Sequence, residues 1–567
     1  MSSGRTNQKP ARRGLALQFT GGDGAEIQRP DPKRAKPNII LIYADDLDFD
    51  EISPYNHVKF PSYTGAKKLG YYRPQNNGLF IQNDKPLPRG EQGYFNDPRM
   101  LTPNIDRLAK EGAVFERFYI TTSICTPSRY SLLTGRYASR SPSFCETHKP
   151  CTHGNIQWNT FVSPEETNIA KALKNSGYTT AIVGKWHNFA PRAIAKDIPN
   201  NANPHDPEIN ARIKEAYKYG VRYLNKEIGF DHVDRIYFQN KEFLGVPDTM
   251  KAHNPEWITE GALNFIEKNT EKPFFLYLPI TLPHGQYYSG ALNENPLATP
   301  AGMLGKAPDT GTSRTDIIKR LQEKGIDERN ATATWIDDGV GAVLKKIKEL
   351  GIENNTVIIF TSDHQSRGKF TCYEGCRVPF IMRWPSKIKP GTRVNDICAN
   401  IDVAATLIEI AGGQPPDDMV KDGRSFVPLL RKRRHTEWRD ALMLECSNIR
   451  AVVTEKWKYI ANRPPAGIRK KMEKEAMECA SAGKKRRISW HGTENWHNDE
   501  EGVIYGADRD FPHYFDYDQL YNLENDIYEQ KNLANEPEYS GILREMKKRL
   551  KDELKTLPHI FGEFKEK

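Results

Sequence analysis

The chain has 567 residues, 38% of them hydrophobic and 27% charged, and a net charge of +9. This is the balance of a soluble globular protein, long enough for a main domain and at least one smaller one. No run approaches the roughly 20 apolar residues of a membrane span, and the basic excess, which suits a polyanionic partner, comes without any nucleic-acid recognition motif.

Residues 1–36 are rich in Gly, Arg and Pro without periodicity and read as a flexible tail. They hold no adequate apolar core for a secretion signal, so the expected compartment is periplasmic or extracellular if a signal has been removed and cytoplasmic otherwise. Asn38 to Ala44 is a short, continuous, β-branched run, as expected for a strand buried on both faces, and it leads straight into Asp45 and Asp46. Thr102 to Ala109 reads as a helix. Next comes Cys125-Thr126-Pro127-Ser128-Arg129 with Leu133-Thr134-Gly135-Arg136. Pro127 fits the first turn of a helix and Gly135 its C-terminal cap, so Cys125 is expected to face the positive end, a place that favours a thiolate or an oxyanion. Arg129, one turn on, offers a planar charged fork suited to phosphate- or sulfate-like groups. Standing alone, the motif would sooner describe a buried structural Cys beside a surface Arg, and it is the context that decides.

Pro164 to Asn175 reads as a further helix. Thr179 to Val183 then leads to Gly184-Lys185-Trp186-His187, and Pro273 to Leu278 leads to Pro283-His284. A helix with regularly spaced apolar residues is expected from about Ala331 to Leu350, and Thr356 to Thr361 leads to Asp363-His364. Four hydrophobic runs therefore end in ionisable residues. In open parallel α/β sheets ligands bind beyond the carboxyl ends of the strands, so these four ends should converge. Strands alternating with helices favour a sheet covered on both faces. From about Thr436 the pattern changes: Ala441 to Cys446 and Arg450 to Asn462 read as hairpin strands, and Glu536 to Leu557 as a closing amphipathic helix with Ile542, Leu543, Met546 and Leu550 inward.

On these residues, together with Lys369, Tyr373-Glu374-Gly375, Val378-Pro379-Phe380, Trp384-Pro385, Asp422-Gly423-Arg424-Ser425 and Leu520-Tyr521-Asn522-Leu523, the chain resembles the formylglycine-dependent sulfatases of the alkaline-phosphatase-like superfamily. The resemblance runs from about Pro37 onward. It implies a large, mostly parallel or mixed central sheet flanked by helices, with a smaller C-terminal α+β subdomain carrying an antiparallel sheet. The expected division is a tail at 1–36, a catalytic domain at 37–435 and a subdomain at 436–567, the last with a basic insert near 465–515.

The resemblance also implies that a separate maturation enzyme oxidises Cys125 to formylglycine, whose hydrate attacks the sulfur of a sulfated carbohydrate and leaves a sulfated enzyme intermediate. Asp45, Asp46, Asp363, His364 and the modified Cys125 would hold one divalent cation, calcium being usual in the family. Oxygen-rich donors suit calcium or magnesium, and the imidazole leaves room for another ion. Lys185 and Lys369 would hold the sulfate and Arg129 would support the hydrated aldehyde. His187 would act as the base, and His284, or failing it Lys369, as the acid. A phosphonate or phosphate diester hydrolase using the same aldehyde, and an inactive binding protein on the same fold, are the alternatives.

Substrate contacts are expected from Tyr287, Trp490 and His491, and from Tyr55, Tyr63, Tyr71 and Tyr72 in the stretch between Asp46 and Thr102. Each of these tyrosines could instead be ordinary packing. The basic run from Arg469 to Arg487 is either a solvated face or a polyanion contact. Of the eight cysteines, Cys145 could bridge Cys151, and Cys372 and Cys376 flank the segment after Lys369. Oligomeric state is not encoded in any of these patterns.

Overall fold

The run from Asn38 forms a strand, β1 (Asn38–Asp45), in which every residue is buried. The computed structural model describes residues 36–49, 52–55, 101–188, 198–284, 289–326, 328, 331–365, 368–419, 422–431, 438–481 and 511–565. They lie in one compact unit, Lys36–Lys567.

Seven further strands join β1 in one sheet: β2 (Ala113–Phe115), β3 (Thr179–Lys185), β4 (His232–Tyr237), β5 (Phe274–Pro283), β6 (Thr356–Ser362), β7 (Phe380–Arg383) and β8 (Thr392–Val394). Their spatial order is β8-β2-β7-β6-β1-β5-β3-β4. Only β7 runs against its neighbours; the other pairings are parallel. The sheet is therefore mixed, and β1, β3, β5 and β6 point their carboxyl ends the same way.

Alternate residues of β1 serve opposite faces, as the two-residue strand period requires. Ile39, Leu41 and Tyr43 join a core with α2 (Cys125–Thr134), α3 (Ile169–Asn175) and α7 (Ile401–Ile410). Ile40, Ile42 and Ala44 join another with α1 (Pro103–Glu111), α5 (Pro255–Lys268) and α6 (Ala331–Glu349). Another long helix of this part is α4 (Pro207–Tyr223). With both faces covered, truncating a β1 residue such as Leu41 to Ala would cost about 2–5 kcal/mol.

A second sheet of four antiparallel strands, β9 (Ala441–Cys446), β10 (Ile449–Thr454), β11 (Trp457–Asn462) and β12 (Asp518–Asn522), is a meander. It shares the first core and is closed by α8 (Ser540–Leu554), whose Met546, Leu550 and Leu554 are buried while Ile542 and Leu543 are only partly so. The segment expected as one strand from Arg450 to Asn462 is thus two.

Three local expectations change. Helix α3 starts at Ile169 rather than Pro164, because Asn168 accepts from the N–H groups of Ala170 and Lys171 and caps it there. Helix α2 begins at Cys125 itself, so the thiol sits in the first turn; Gly135 ends the helix in the left-handed region, as expected (φ 71°). Helix α1 is capped from a distance: Asp337 of α6 accepts from the N–H groups of Asn104 (3.0 Å) and Ile105 (2.8 Å) and from Asn104 Nδ2 (2.8 Å). Among the described residues Cys125, Cys145, Cys151, Cys372, Cys376, Cys398 and Cys446 are all free, so the suggested bridge between Cys145 and Cys151 is not formed. Tyr55 is packing: it is fully buried, donating to Phe115 O and Phe380 O and accepting from Phe380 N. Tyr63, Tyr71, Tyr72, Tyr287, Trp490 and His491 lie outside the described residues.

Candidate active site

The four strand ends do converge, and α2 meets them. One carboxylate oxygen from each of Asp45, Asp46 and Asp363 lies within 4.8 Å of the others, and Cys125 Sγ groups in the same way with Asp363 and His364, and with Asp46 and His284. His364 Nε2 stands 3.1 Å from Cys125 Sγ and 3.0 Å from Asp46 Oδ1. On the other side of the ring, Nδ1 is 2.8 Å from the carbonyl of Gln365. A carbonyl only accepts, so Nδ1 carries a proton and Nε2 faces the cluster, where it can hold a second proton against Asp46 or give its lone pair to a cation.

Each carboxylate has a cationic partner. Lys185 Nζ is paired with Asp45 Oδ2, and Lys369 Nζ lies 2.9 Å from Asp46 Oδ2. Arg129 donates from Nε and Nη2 to Asp363 Oδ2 (3.2 and 2.9 Å), from Nη2 to Asp45 Oδ1 (3.0 Å) and from Nη1 to the carbonyl of Lys185 (3.2 Å). Its guanidinium sits over the Tyr43 ring at 5.2 Å and is wholly buried. The fork expected to meet an anionic ligand is instead engaged beneath the site, bracing two carboxylates. Ser128 adds to this floor, donating to Asp363 O at 2.6 Å.

Burial, then the like charges of Asp45 and Asp46, push the Asp363 carboxyl up to about 6. Burial works against the charged form of Asp46 as well, but Lys369 and His364 outweigh it and hold that carboxyl down to about 2. On His364 burial works downward too, yet Asp46, Asp363 and Cys125 hold the imidazole up at about 10. A cluster that draws a proton so firmly onto one of its donors is built around positive charge. Three hard oxygens and one imidazole nitrogen fit a divalent cation, which would be held by Asp45, Asp46, Asp363 and His364.

The two remaining histidines are neutral. Burial first, then Lys185 and Arg129, hold His187 well below the ordinary imidazole value. Burial, with Lys185 contributing, lowers His284 to about 3 although Asp46 and Asp45 oppose it. His284 Nε2 is 3.9 Å from Asp46 Oδ2 and 3.2 Å from Asn240 Nδ2.

Asn240 is the contact that sequence reading missed. It follows β4, whose apolar signal in Val233, Ile236, Tyr237 and Phe238 is broken by Asp234 and Arg235. A fifth strand ending in a polar residue was the available sign.

The Sulfatase family model matches residues 37–413. An ulvan-active sulfatase of Formosa agariphila is 26% identical over 486 residues, covering 83% of this chain and 79% of the relative. The N-acetylgalactosamine-6-sulfatase of Mus musculus is 29% identical over 398 residues, covering 65% and 68%. Among solved structures, a protein in complex with its substrate D-glucosamine-2-N,6-O-disulfate superposes with a TM-score of 0.55 at 20% identity, over 92% of this chain and 98% of that one.

Proposed function

The chain belongs to the sulfatase family, and on that premise we propose that it hydrolyses sulfate esters of a carbohydrate at the cluster formed by Asp45, Asp46, Cys125, Lys185, His187, His284, Asp363, His364 and Lys369. The observation that carries this is the meeting of Cys125 with three carboxylates and His364 within one small cluster. The ulvan-active and N-acetylgalactosamine-6-sulfatase relatives support a sulfated saccharide as substrate.

Oxidised to formylglycine by a maturation enzyme, residue 125 would supply the attacking hydroxyl of a hydrated aldehyde. A divalent cation, calcium on the family's habit, would act as a Lewis acid on the ester when held by Asp45, Asp46, Asp363 and His364. The chain's own groups do the rest. Lys185 and Lys369 place two ammonium groups at the rim of the carboxylates, where they offset the negative charge of the sulfate in the transition state. Arg129 fixes Asp45 and Asp363 so that they need not reorganise. His187, neutral and buried, is able to take a proton from the hydroxyl at residue 125. The oxygen leaving from a sugar is a poor leaving group and needs a proton; His284 is placed to give it after gaining one as the anionic ester binds, and Lys369 is the alternative donor.

Two measurements test the reading together. The tryptic peptide spanning residues 118–129 should carry an aldehyde in active protein, and that protein should release sulfate from saccharides in a panel of carrageenan, ulvan, fucan and glycosaminoglycan fragments while leaving an aryl phosphonate diester largely intact. Faster cleavage of the phosphonate would overturn the sulfatase assignment. Cys125→Ala is expected to abolish turnover with the urea midpoint unchanged, and sulfatase activity surviving it would remove residue 125 from the reaction.

A further inference from the structure

Beside His284 the wall of the site is a chain of hydrogen bonds that closes on itself except at two atoms. Asn240 Nδ2 meets His284 Nε2 at 3.2 Å. The next residue, Lys241, is paired with Glu294, whose other oxygen accepts from the backbone N–H of His253 at 2.6 Å. His253 Nδ1 in turn meets Thr281 Oγ1 at 3.0 Å, three residues before His284 on the strand that delivers it. What remains are Asn240 Oδ1 and His253 Nε2, both buried atoms with no hydrogen-bond partner among the described residues.

The structure holds other such atoms, but these two belong to the network that supports His284. A buried donor or acceptor left unmade costs about 1–3 kcal/mol, so it calls for a ligand or ordered water. His253 is only 2% exposed. Its imidazole is held well below the ordinary value by burial and then by Lys241 and His284, so it is neutral and its Nε2 can make one more hydrogen bond. The influence of Asp45 and Lys185 on the same ring places it on the side of the sheet where the strand ends meet. Asn240 is anchored by its backbone, whose carbonyl accepts from Phe243 N at 2.9 Å, so its amide is presented at a fixed height beside His284.

We propose that Asn240 and His253 read a free hydroxyl or amide on the sugar next to its sulfate ester, and so determine which saccharide the site accepts. This rests on the carbohydrate sulfatase reading. An oxygen leaving toward His284 brings its ring neighbours toward the Asn240 amide, 3.2 Å from that imidazole, and toward His253, which belongs to the same network through Thr281. A substrate lacking the neighbouring group leaves both atoms unsatisfied, and discrimination of this kind is stronger than that of an apolar pocket.

The test uses aldehyde-bearing full-length protein, 4-nitrophenyl sulfate, and the best sulfated saccharide of the panel above. His253→Asn keeps an atom at the Nδ1 position for Thr281 and deletes Nε2; Asn240→Ala deletes the amide. For each variant kcat/KM should fall about tenfold further on the saccharide than on the aryl sulfate, the worth of one hydrogen bond. Removing the neighbouring hydroxyl from the saccharide should cost the wild type a similar factor and the variants nothing more. Equal losses on both substrates, or full sensitivity of the variants to the deoxygenated sugar, would overturn the inference while leaving the sulfatase reading intact. A wild type that cleaves the aryl sulfate but no saccharide would overturn the carbohydrate reading and this inference with it.

Discussion

Replacing Arg129 by Lys keeps the charge and removes the geometry, which makes it the sharpest probe of the site's foundation. The guanidinium makes four N–H contacts: two to Asp363, one to Asp45 and one to the carbonyl of Lys185. An ammonium is a point donor on a flexible stem and cannot span two carboxylates and a carbonyl as the planar fork does. If two charge-assisted bonds are lost at about 1.5–3 kcal/mol each, Arg129→Lys should lower unfolding stability by about 3–6 kcal/mol. Arg107 is the internal control. It is 41% exposed and paired with Glu111 one turn away, so Arg107→Lys should change stability by less than about 0.5 kcal/mol. Urea unfolding monitored by tryptophan fluorescence reads both, with unchanged slopes required for comparison. Because Asp45 and Asp363 lose their brace, calcium titrated calorimetrically should bind Arg129→Lys about 10- to 100-fold more weakly than wild type. Wild-type stability and wild-type calcium affinity together would show that the guanidinium supports nothing.

Three further outcomes are expected. His284→Ala should slow cleavage of saccharide sulfates much more than of 4-nitrophenyl sulfate, whose phenolate leaves without help; equal losses on the two would argue against His284 as proton donor. Dialysis against a chelator should lower the urea midpoint and calcium should restore it, since a cation bound only by the folded state adds to its stability; an unmoved midpoint would leave the carboxylate cluster without an ion. Asp337→Ala strips three N–H groups of α1 of their acceptor and should cost about 2–4 kcal/mol, with Asp337→Asn losing less because an acceptor oxygen remains. If the two variants matched the wild type, α1 would not depend on that cap.

What could be read from the sequence was whatever the chain encodes locally. Asp45, Lys185, His284 and Asp363 could be assigned to one place because each ends, or directly follows, a continuous apolar run, and parallel strands bring such ends together. The covered sheet and the hairpin that opens the second sheet followed from the same periodicities, while the split of 450–462 into two strands and the fourth strand, Asp518–Asn522, did not. What could not be read depends on partners far apart in the chain. Arg129 looked free to bind an anion because nothing local shows that Asp45, 84 residues earlier, and Asp363, 234 later, close over it. The cap of α1 comes from Asp337, 232 residues beyond Ile105, while the neighbouring Thr102 makes no capping bond. Asn240 was hidden by a strand whose pattern is interrupted at Asp234 and Arg235, the latter at φ 52°.

On the proposed reaction, the pairing of charges gives a reason for a cation to accompany the anionic ester. Asp45, Asp46 and Asp363 bring three negative charges, and Arg129, Lys185 and Lys369 bring three positive ones, each within ion-pair distance of a carboxylate. His364, held up at about 10, adds a fourth positive charge, so the sum is +1, but each cation is already paired and a sulfate ester alone would compete with Asp45 and Asp46 for the two ammonium groups. A divalent cation that displaced the His364 proton would bring the balance to +2 against the single charge of the ester. The carboxylates then have another positive partner, and Lys185 and Lys369 can be shared with the incoming sulfate. Arg129 differs in that its planar fork holds four contacts across two carboxylates and a carbonyl, so it stays with the carboxylates whatever binds above. Lys185 and Lys369 are just as buried, so the division into a fixed floor and an exchangeable pair of ammonium groups is made by the geometry of the fork rather than by burial or charge.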